Sequence, residues 1–275
     1  MPGSGVKGGA ILLIGAGRMG GALLKGWIGN GIGPIVAVEP KPSAELKALA
    51  KKHRVTLLGD VNDVPNSKFA ACIVALKPQV LKDAAPRLRA IAQSGGPMIS
   101  IAAGTTTRSL AKAWGPKARV VRSMPNTPGA IGRGITAIYA TPKTTAKDRA
   151  LADRLLSALG ETVWVKKEEL IDAATAVSGS GPAYVFLLVE AMTEAGIAEG
   201  LPRDVAAKLA RQTVSGAGAL LDAEKTAPAE LRRNVTSPGG TTEAALNVLM
   251  AADGLPKLMQ RAVNAARARA RELGR

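Results

Sequence analysis

The first half of the chain alternates short apolar runs with longer amphipathic stretches. The apolar runs predict seven β-strands, at residues 10–14, 35–38, 70–75, 98–101, 119–123, 134–139 and 161–165. The stretches between them predict five helices, at residues 19–29, 43–53, 80–92, 106–113 and 146–158. Continuously apolar strands that alternate with helices are typical of a doubly wound, mostly parallel sheet. We therefore expect an α/β domain of the Rossmann type over residues 10–165, after a Gly-rich, disordered N-terminus at residues 1–9.

Strand patterns stop near residue 165, where the chain becomes rich in Ala and Leu. Six further helices are predicted, at residues 168–175, 182–198, 203–221, 227–234, 238–251 and 256–273, with Gly and Pro between them. Residues 166–275 are therefore expected to form an all-α domain. Its helices are apolar around more of their circumference than one small domain can bury, notably at 183–189. We therefore predict a homodimer at least, with this all-α domain as the dimerisation domain.

Composition narrows the classes of partner. The net charge is +16, yet the Lys and Arg residues are scattered and do not cluster with aromatic residues, so nucleic acid is not the favoured partner. A ligand that carries phosphates or carboxylates accounts for a positive field equally well. One cysteine and one histidine exclude a disulfide framework and argue against a metal site. We find neither a signal-peptide pattern nor an apolar run of about 20 residues, so a cytoplasmic protein without membrane contact is expected.

A Gly-x-Gly-x-x-Gly motif lies between the first predicted strand and the first predicted helix, which is the context that dinucleotide binding requires. It consists of Gly15, Ala16, Gly17, Arg18, Met19 and Gly20. The first glycine permits the tight turn, the second lets the pyrophosphate approach, and the third lets helix and strand pack closely. Glu39, at the end of the next strand, suits the ribose 2′-OH of NADH, whereas Lys41 and Arg18 suit the 2′-phosphate of NADPH. The sequence leaves this choice open.

A second Gly-rich segment, Ser237-Pro238-Gly239-Gly240-Thr241-Thr242, precedes a predicted helix. Ser is a preferred N-cap residue and Pro suits the first helical position. We therefore expect a helix that begins at Pro238, with the backbone N–H groups of Gly239 and Gly240 free to bind a small carboxylate at the positive end of the helix dipole.

These two segments occur together with three others: Ala75-Leu76-Lys77-Pro78-Gln79, Met124-Pro125-Asn126-Thr127-Pro128 and Ser178-Gly179-Ser180-Gly181-Pro182-Ala183-Tyr184. In this order they resemble pyrroline-5-carboxylate reductase, from about residue 10 to the C-terminus. The resemblance implies a Rossmann domain and a helical dimerisation domain, with each active site formed between two subunits, and in many members a ring of dimers. It implies reduction of the cyclic imine 1-pyrroline-5-carboxylate to L-proline with NADPH or NADH, the last step of proline biosynthesis.

The resemblance also assigns roles to individual residues. Besides the Gly-rich loop, Glu39 and Lys41, it places against the cofactor Asn62, Ala75, Lys77, Pro78, Met124, Pro125, Asn126 and Thr127. It places against the substrate Ser178, Gly181, Ser237, Gly239, Gly240, Thr241 and Thr242. Thr242 is the expected catalytic residue, with its hydroxyl bonded to the ring nitrogen.

Two alternatives remain open at this point. A 2- or 3-hydroxyacid dehydrogenase of the same two-domain plan needs a Lys or His to move a proton. Related hydroxyacid enzymes carry such a Lys about one turn into the helix after a Gly-x-Gly start, and residues 182–188 contain none. A non-enzymatic NAD(P)-binding or nucleic-acid-binding protein leaves the segment Ser237–Thr242 unexplained. A protonated imine accepts hydride without a general acid, so the lack of a candidate catalytic His or Cys fits the reductase.

Overall fold

The computed structural model describes residues 9–274 of the chain, so the predicted disordered N-terminus lies outside the described residues except for Gly9. Eight strands form one sheet: β1 Ile11–Ile14, β2 Ile35–Val38, β3 Thr56–Leu58, β4 Ala71–Val74, β5 Met98–Ser100, β6 Val120–Met124, β7 Gly134–Ala140 and β8 Gly160–Trp164. The helices of this part are α1 Arg18–Gly29, α2 Ala44–His53, α3 Pro78–Ala84, α4 Arg89–Gln93, α5 Thr107–Trp114 and α6 Ala146–Leu156.

The strand order in the sheet is β3-β2-β1-β4-β5-β6-β7-β8. All neighbouring strands are parallel except β6 and β7, which are antiparallel. The predicted mostly parallel Rossmann sheet is thereby confirmed. The chain order reverses between β1 and β4, and ligands of such sheets bind outside the carboxyl ends of the strands at this switch point.

The central strands β1, β2 and β4 are covered on both faces, which explains why they carry no polar alternation. Along β1, Ile11 and Leu13 belong to one apolar cluster and Leu12 and Ile14 to the other. The first cluster is fixed by a buried hydrogen bond, in which the indole Nε1 of Trp27 donates to the carbonyl of Leu155 at 2.8 Å. Successive side chains of a strand point to opposite faces, so a strand buried on both faces is apolar throughout.

Two predicted helices differ from the structure. The helix expected at residues 80–92 consists of α3, a 3₁₀ segment at Ala85–Leu88 and α4. Pro86 lies in the 3₁₀ segment, and its ring removes the backbone donor that a continuous α-helix needs. The helix expected at 168–175 is α7, Glu169–Ala174, and it continues as a π-helical turn at Thr175–Gly179.

After Trp164 the described residues contain helices and no further strand. These are α7, α8 Gly181–Ala198, α9 Arg203–Ala223, α10 Pro228–Asn234, α11 Thr241–Leu249 and α12 Leu255–Leu273. The predicted all-α region after the sheet is thus confirmed. The chain divides into two compact units, of which the second is Ser180–Ala265. The first contains the sheet, α7, the π-helical turn and the end of α12 from Ala266.

Within residues 9–274, no helix is both long enough and apolar enough to cross a membrane. The same residues contain no group of three or more His, Cys, Asp or Glu side chains placed to hold a metal ion. The single cysteine, Cys72, is buried in β4, and this burial raises the pKa of its thiol.

Candidate functional site

The Gly-rich loop joins β1 to α1, and two of its three glycines are required by the protein's own packing. Gly15 has φ +88°, and a Cβ there would lie 2.9 Å from the carbonyl oxygen of Ala75 in the neighbouring strand end. A Cβ on Gly20 would overlap the carbonyl oxygen of Gly15. Gly17, the N-cap of α1, differs, because no described atom lies within 4 Å of a Cβ placed on it. The space beside Gly17 is therefore available to a ligand at a helix N-terminus.

A cavity of about 470 Å³ opens on one side of this loop. Its lining includes the predicted residues Ala16, Gly17, Arg18, Glu39 and Lys41. The carboxylate of Glu39 accepts hydrogen bonds from the backbone N–H groups of Ala16 at 2.9 Å and of Lys41 at 3.2 Å. These bonds hold an acidic group at the end of β2, where the ribose of a dinucleotide is expected.

The same cavity contains a second charged pair that the sequence analysis missed. Lys25 and Glu45 both line it, and their side chains form an ion pair at 2.7 Å. The hydrogen bond and charge of Lys25 lower the pKa of Glu45. With Arg18 and Lys41, the cavity has three cationic side chains, which suits a phosphate-bearing ligand.

A second cavity, of about 380 Å³, lies at the carboxyl ends of β1, β4, β5 and β6. Most of the residues predicted to contact the cofactor line it: Gly17, Arg18, Met19, Ala75, Lys77, Pro78, Met124, Pro125, Asn126 and Thr127. Five lining residues were not predicted as cofactor contacts: Leu76, Ile101, Ala102, Ala103 and Gly179. Three of them, at residues 101–103, could have been predicted from their position, because they directly follow a buried strand and so belong to the ligand-binding edge of the sheet.

The segment Met124–Thr127 is held by contacts on both sides. The side-chain oxygen of Asn126 accepts a hydrogen bond from the backbone N–H of Ile135 in β7 at 3.0 Å. A Cβ on Gly179 would lie 2.7 Å from the Cε of Met124, so the two residues are in close contact. Because Gly179 has no side chain, the Met124 side chain can pack against its backbone in the lining of the second cavity.

Asn62, Ser178 and Gly181 are among the predicted site residues that line neither cavity. Asn62 is exposed in a 3₁₀ turn, and its backbone N–H donates to Asp60 at 2.8 Å. Ser178 lies in the π-helical turn, and its hydroxyl donates to the carbonyl of Ala174 at 2.9 Å. Gly181 is the first residue of α8. The ligand contacts of these three residues stay predictions.

The start of α11 differs from its prediction. The helix begins at Thr241 with Gly240 as N-cap, so the assignment of Ser237 as N-cap and of Pro238 as first helical residue was wrong. Ser237–Gly240 instead form a tight turn, in which the N–H of Gly240 donates to the carbonyl of Ser237 at 3.0 Å and Gly239 has φ +70°. Proline followed by a glycine of positive φ defines a type II turn, and this turn preference overrides the N-cap preference of Ser237.

This turn changes which backbone donors are open to a ligand. The N–H of Gly239 donates to the carboxylate of Glu243 at 2.8 Å, and that of Gly240 is used within the turn. The expectation that these two N–H groups are free was therefore wrong. The donors of the first helical turn, at Thr241 and Thr242, have no partner within a helix. The candidate anion site thus lies one to two residues further along the chain.

Comparison with known proteins places this geometry in a class. A family model described as "NADP oxidoreductase coenzyme F420-dependent" matches residues 10–104, which contain the Gly-rich loop and β1 to β5. The fold and this match define the chain as an NAD(P)-dependent oxidoreductase with a Rossmann domain. A second family model, "Pyrroline-5-carboxylate reductase dimerisation", matches residues 168–273.

The chain belongs to the pyrroline-5-carboxylate reductase family. It is 40% identical to the pyrroline-5-carboxylate reductase of Pseudomonas aeruginosa over 96% of both chains. A crystal structure of a pyrroline-5-carboxylate reductase from Coxiella burnetii is 35% identical, with a TM-score of 0.89 and coverage of 97% of this chain and 99% of the other. The Plasmodium falciparum enzyme, solved with NADP bound, is 25% identical, with a TM-score of 0.81 and coverage of 98% and 99%.

Gly17 and Gly20 are expected to fail in different ways when replaced by valine. Gly17→Val should abolish cofactor binding without lowering Tm, because its side chain enters only the ligand's space. Gly20→Val should abolish binding and also destabilise the fold by about 1–3 kcal/mol, because it overpacks the contact between α1 and β1. Fluorescence titration with NADPH and thermal unfolding measure the two effects. Equal losses of Tm in both variants would contradict the distinction.

Glu39→Gln tests whether this carboxylate influences cofactor preference. Glutamine retains an acceptor for the N–H of Ala16 and removes the negative charge. The NADPH/NADH ratio of kcat/KM is expected to rise about fivefold, since one charge a few ångströms away near the surface is worth about 1 kcal/mol. An unchanged ratio would show that Glu39 does not face the 2′ position of the ribose.

Proposed function

We propose that this protein reduces 1-pyrroline-5-carboxylate to L-proline with NADPH or NADH, as the last step of proline biosynthesis. The observation that carries the proposal is the lining of the second cavity, together with membership of the family. The lining contains Arg18 and Lys77 but no His, Cys, Tyr or carboxylate among the described residues. Such a site suits a substrate that arrives already protonated, as an iminium ion, and needs no proton in the hydride-transfer step.

The residues present fit a nicotinamide cofactor, because Gly17, which both cavities share, leaves its backbone open and the first cavity carries three cationic side chains against two carboxylates. When bound, the cofactor supplies the hydride. The protein's contribution is orientation, which is the large term for a reaction between two bound partners. Met124–Thr127 and Ala75–Pro78 would hold the reacting face of the ring, and the apolar residues of the second cavity would exclude water from it.

The loop Ser237–Thr242 would bind the substrate at its carboxylate. The backbone N–H groups of Thr241 and Thr242 would donate to the carboxylate at the positive end of α11. The half-buried hydroxyl of Thr242 would accept a hydrogen bond from the iminium N–H. Contacts to the carboxylate and to the adjacent ring nitrogen would fix the orientation of one edge of the ring without requiring any side chain to change its protonation state.

The protein is a homo-oligomer, as its dimerisation domain indicates. The helix α8 presents large apolar side chains to solvent within its own unit, with Phe186 61% and Leu187 63% exposed. Contiguous exposed apolar side chains of this size mark interaction surfaces. By the resemblance, the loop Ser237–Thr242 of one subunit would complete the cofactor site of its partner.

Assembly beyond the dimer is a further part of the proposal. Sedimentation velocity at micromolar concentration is expected to show a species larger than a dimer, as in family members that form rings of dimers. A single dimeric species across the concentration range would contradict the ring. The absence of nucleic-acid binding and a cytoplasmic location remain predictions from the sequence.

The substrate assignment is tested by oxidation of NADPH in the presence of 1-pyrroline-5-carboxylate. The expected result is rapid turnover with the imine and none in the reverse assay with 2- or 3-hydroxyacids and NAD(P)⁺. Turnover of a hydroxyacid and none with the imine would replace the proposed function with the dehydrogenase alternative.

Thr242→Val removes the hydroxyl and retains the shape of the side chain. It should lower kcat/KM for the imine by about 1–3 kcal/mol, the cost of a buried polar partner left without its hydrogen bond. Thr242→Ser should restore most of the loss. NADPH affinity should hardly change in either variant, since the cofactor is held by the other unit. Wild-type kinetics in a folded Thr242→Val protein would disprove the assignment.

Gly240→Val tests the turn itself. A Cβ on Gly240 would collide with the hydroxyl of Ser237 and lie 3.0 Å from its carbonyl oxygen, so the turn is expected to be distorted. The substrate KM should rise more than in Thr242→Val, because the carboxylate loses its donors. An unchanged KM for the substrate would show that the loop connects two helices and does not bind the substrate.

A further inference from the structure

A largely buried ionic cluster is formed by residues that lie near the lining of the second cavity in the sequence. We define the Arg122 cluster as Thr107, Arg122, Glu168 and Asp172. The side chain of Arg122, in β6, is only 3% exposed. Its Nη1 donates to Glu168 at 3.1 Å and its Nη2 to Asp172 at 2.8 Å. Glu168 also accepts hydrogen bonds from the backbone N–H of Thr107, at 2.7 Å, and from the hydroxyl of the same residue.

Each member of the cluster is close in sequence to one wall of the second cavity. Thr107 starts α5, four residues after the wall at 101–103. Arg122 lies two residues before Met124, in the same strand. Asp172 lies in α7, whose π-helical continuation ends at Gly179. The cluster therefore joins three chain segments that meet again at the cavity, where Met124 and Gly179 are in contact.

The chemistry of the cluster makes its geometry strict. A guanidinium is a planar fork, so bonds to two carboxylates fix its direction as well as its distance. The Nε of Arg122 is buried and has no hydrogen-bond partner in the described residues, so the charge depends on Glu168 and Asp172. Removing Arg122 would leave two carboxylates without their cationic partner, whereas apolar residues of the same volume serve packing equally well. Stability alone therefore does not explain the cluster.

We propose that Arg122, with Glu168 and Asp172, is a positioning group for hydride transfer. The cluster fixes the separation between Met124 and Gly179, and with it the wall against which the nicotinamide ring lies. This inference rests on the proposed function. The adenosine half of the cofactor would be held by the first cavity, whose lining contains neither Met124 nor Gly179. Loosening the cluster is therefore expected to impair hydride transfer more than cofactor binding.

Two conservative variants test this inference. Arg122→Lys keeps the charge but cannot bridge both carboxylates, and Asp172→Asn keeps a hydrogen-bond acceptor but removes one charge. The matched control is Arg119→Lys, because Arg119 precedes the same strand and pairs with Asp148 at 3.4 Å, outside the cavity lining. We would measure kcat, both KM values, the Kd of NADPH by fluorescence, and the isotope effect with NADPH deuterated at the transferred position.

In both cluster variants, kcat should fall about tenfold, since misplacing the reacting atoms by a fraction of an ångström has effects of this order. The isotope effect on kcat should increase because hydride transfer becomes rate-limiting, while the Kd of NADPH should stay within about twofold. Arg119→Lys should match the wild type in all four quantities.

Two results would overturn the inference. One is wild-type kcat and isotope effect in folded Arg122→Lys or Asp172→Asn protein. The other is a parallel loss of kcat, NADPH affinity and Tm, which would mark the cluster as general structural support. If Arg122→Lys does not fold, Asp172→Asn decides alone, because it preserves the hydrogen-bonding pattern. A failure of the proposed function would instead appear in the wild type, as no NADPH oxidation with 1-pyrroline-5-carboxylate.

Discussion

The close approach of α1 to the ends of β1 and β4 determines what the rest of the Rossmann unit can do. Gly20 lies so near the carbonyl of Gly15 that any side chain there would overlap it, and Gly15 in turn lies against the backbone of Ala75. Because these three segments touch without intervening side chains, the N-terminus of α1 is directed at the switch point of the sheet. Both cavities share Gly17 and Arg18, so each is positioned by this one contact.

The two cavities differ in polarity, and each suits a different part of a dinucleotide. The first has fixed charges, with Glu39 anchored by backbone N–H groups and Lys25 paired with Glu45. The second is lined mainly by small and apolar residues at strand ends. A charged, hydrated pocket suits the recognition of ribose and phosphates, and a less polar one suits a reaction in which hydride must not meet water. The described lining of the second cavity contains no His or carboxylate, which agrees with hydride transfer to an iminium carbon.

The sequence predicts the sheet well for a physical reason, because strands buried on both faces form nearly continuous apolar runs. It misses β3, which has three residues, lies at the sheet edge and is partly exposed at Thr56–Leu58. The Gly-rich loop is predictable because its glycines are required by contacts that any member of the fold must make. The break at Pro86 was not predicted. The apolar pattern of residues 80–92 indicated one continuous helix, although proline lacks the backbone donor that such a helix needs.

Two local structural preferences compete in the loop Ser237–Thr242. Ser237 and Pro238 favour a helix start, while Pro238 and Gly239 favour a type II turn, and the structure contains the turn. Neither preference can be ranked from the sequence, since both are worth about 1 kcal/mol. The Arg122 cluster was not predicted at all, because its hydrogen-bonded pairs are separated by up to 61 positions in the chain and only the fold brings them together.

The bond between Gly239 and Glu243 has a consequence for how a ligand would be received. Glu243 lies in the first turn of α11, so its carboxylate reaches the N–H of Gly239 as soon as that helix forms. This bond to its own helix therefore supports the tight turn that Pro238 and Gly239 favour, without any bound anion. A loop that is ordered in advance loses little conformational entropy on binding, and its open donors point in a fixed direction. The acidic side chain that repels an anion at long range is thus also the one that keeps the receiving backbone rigid.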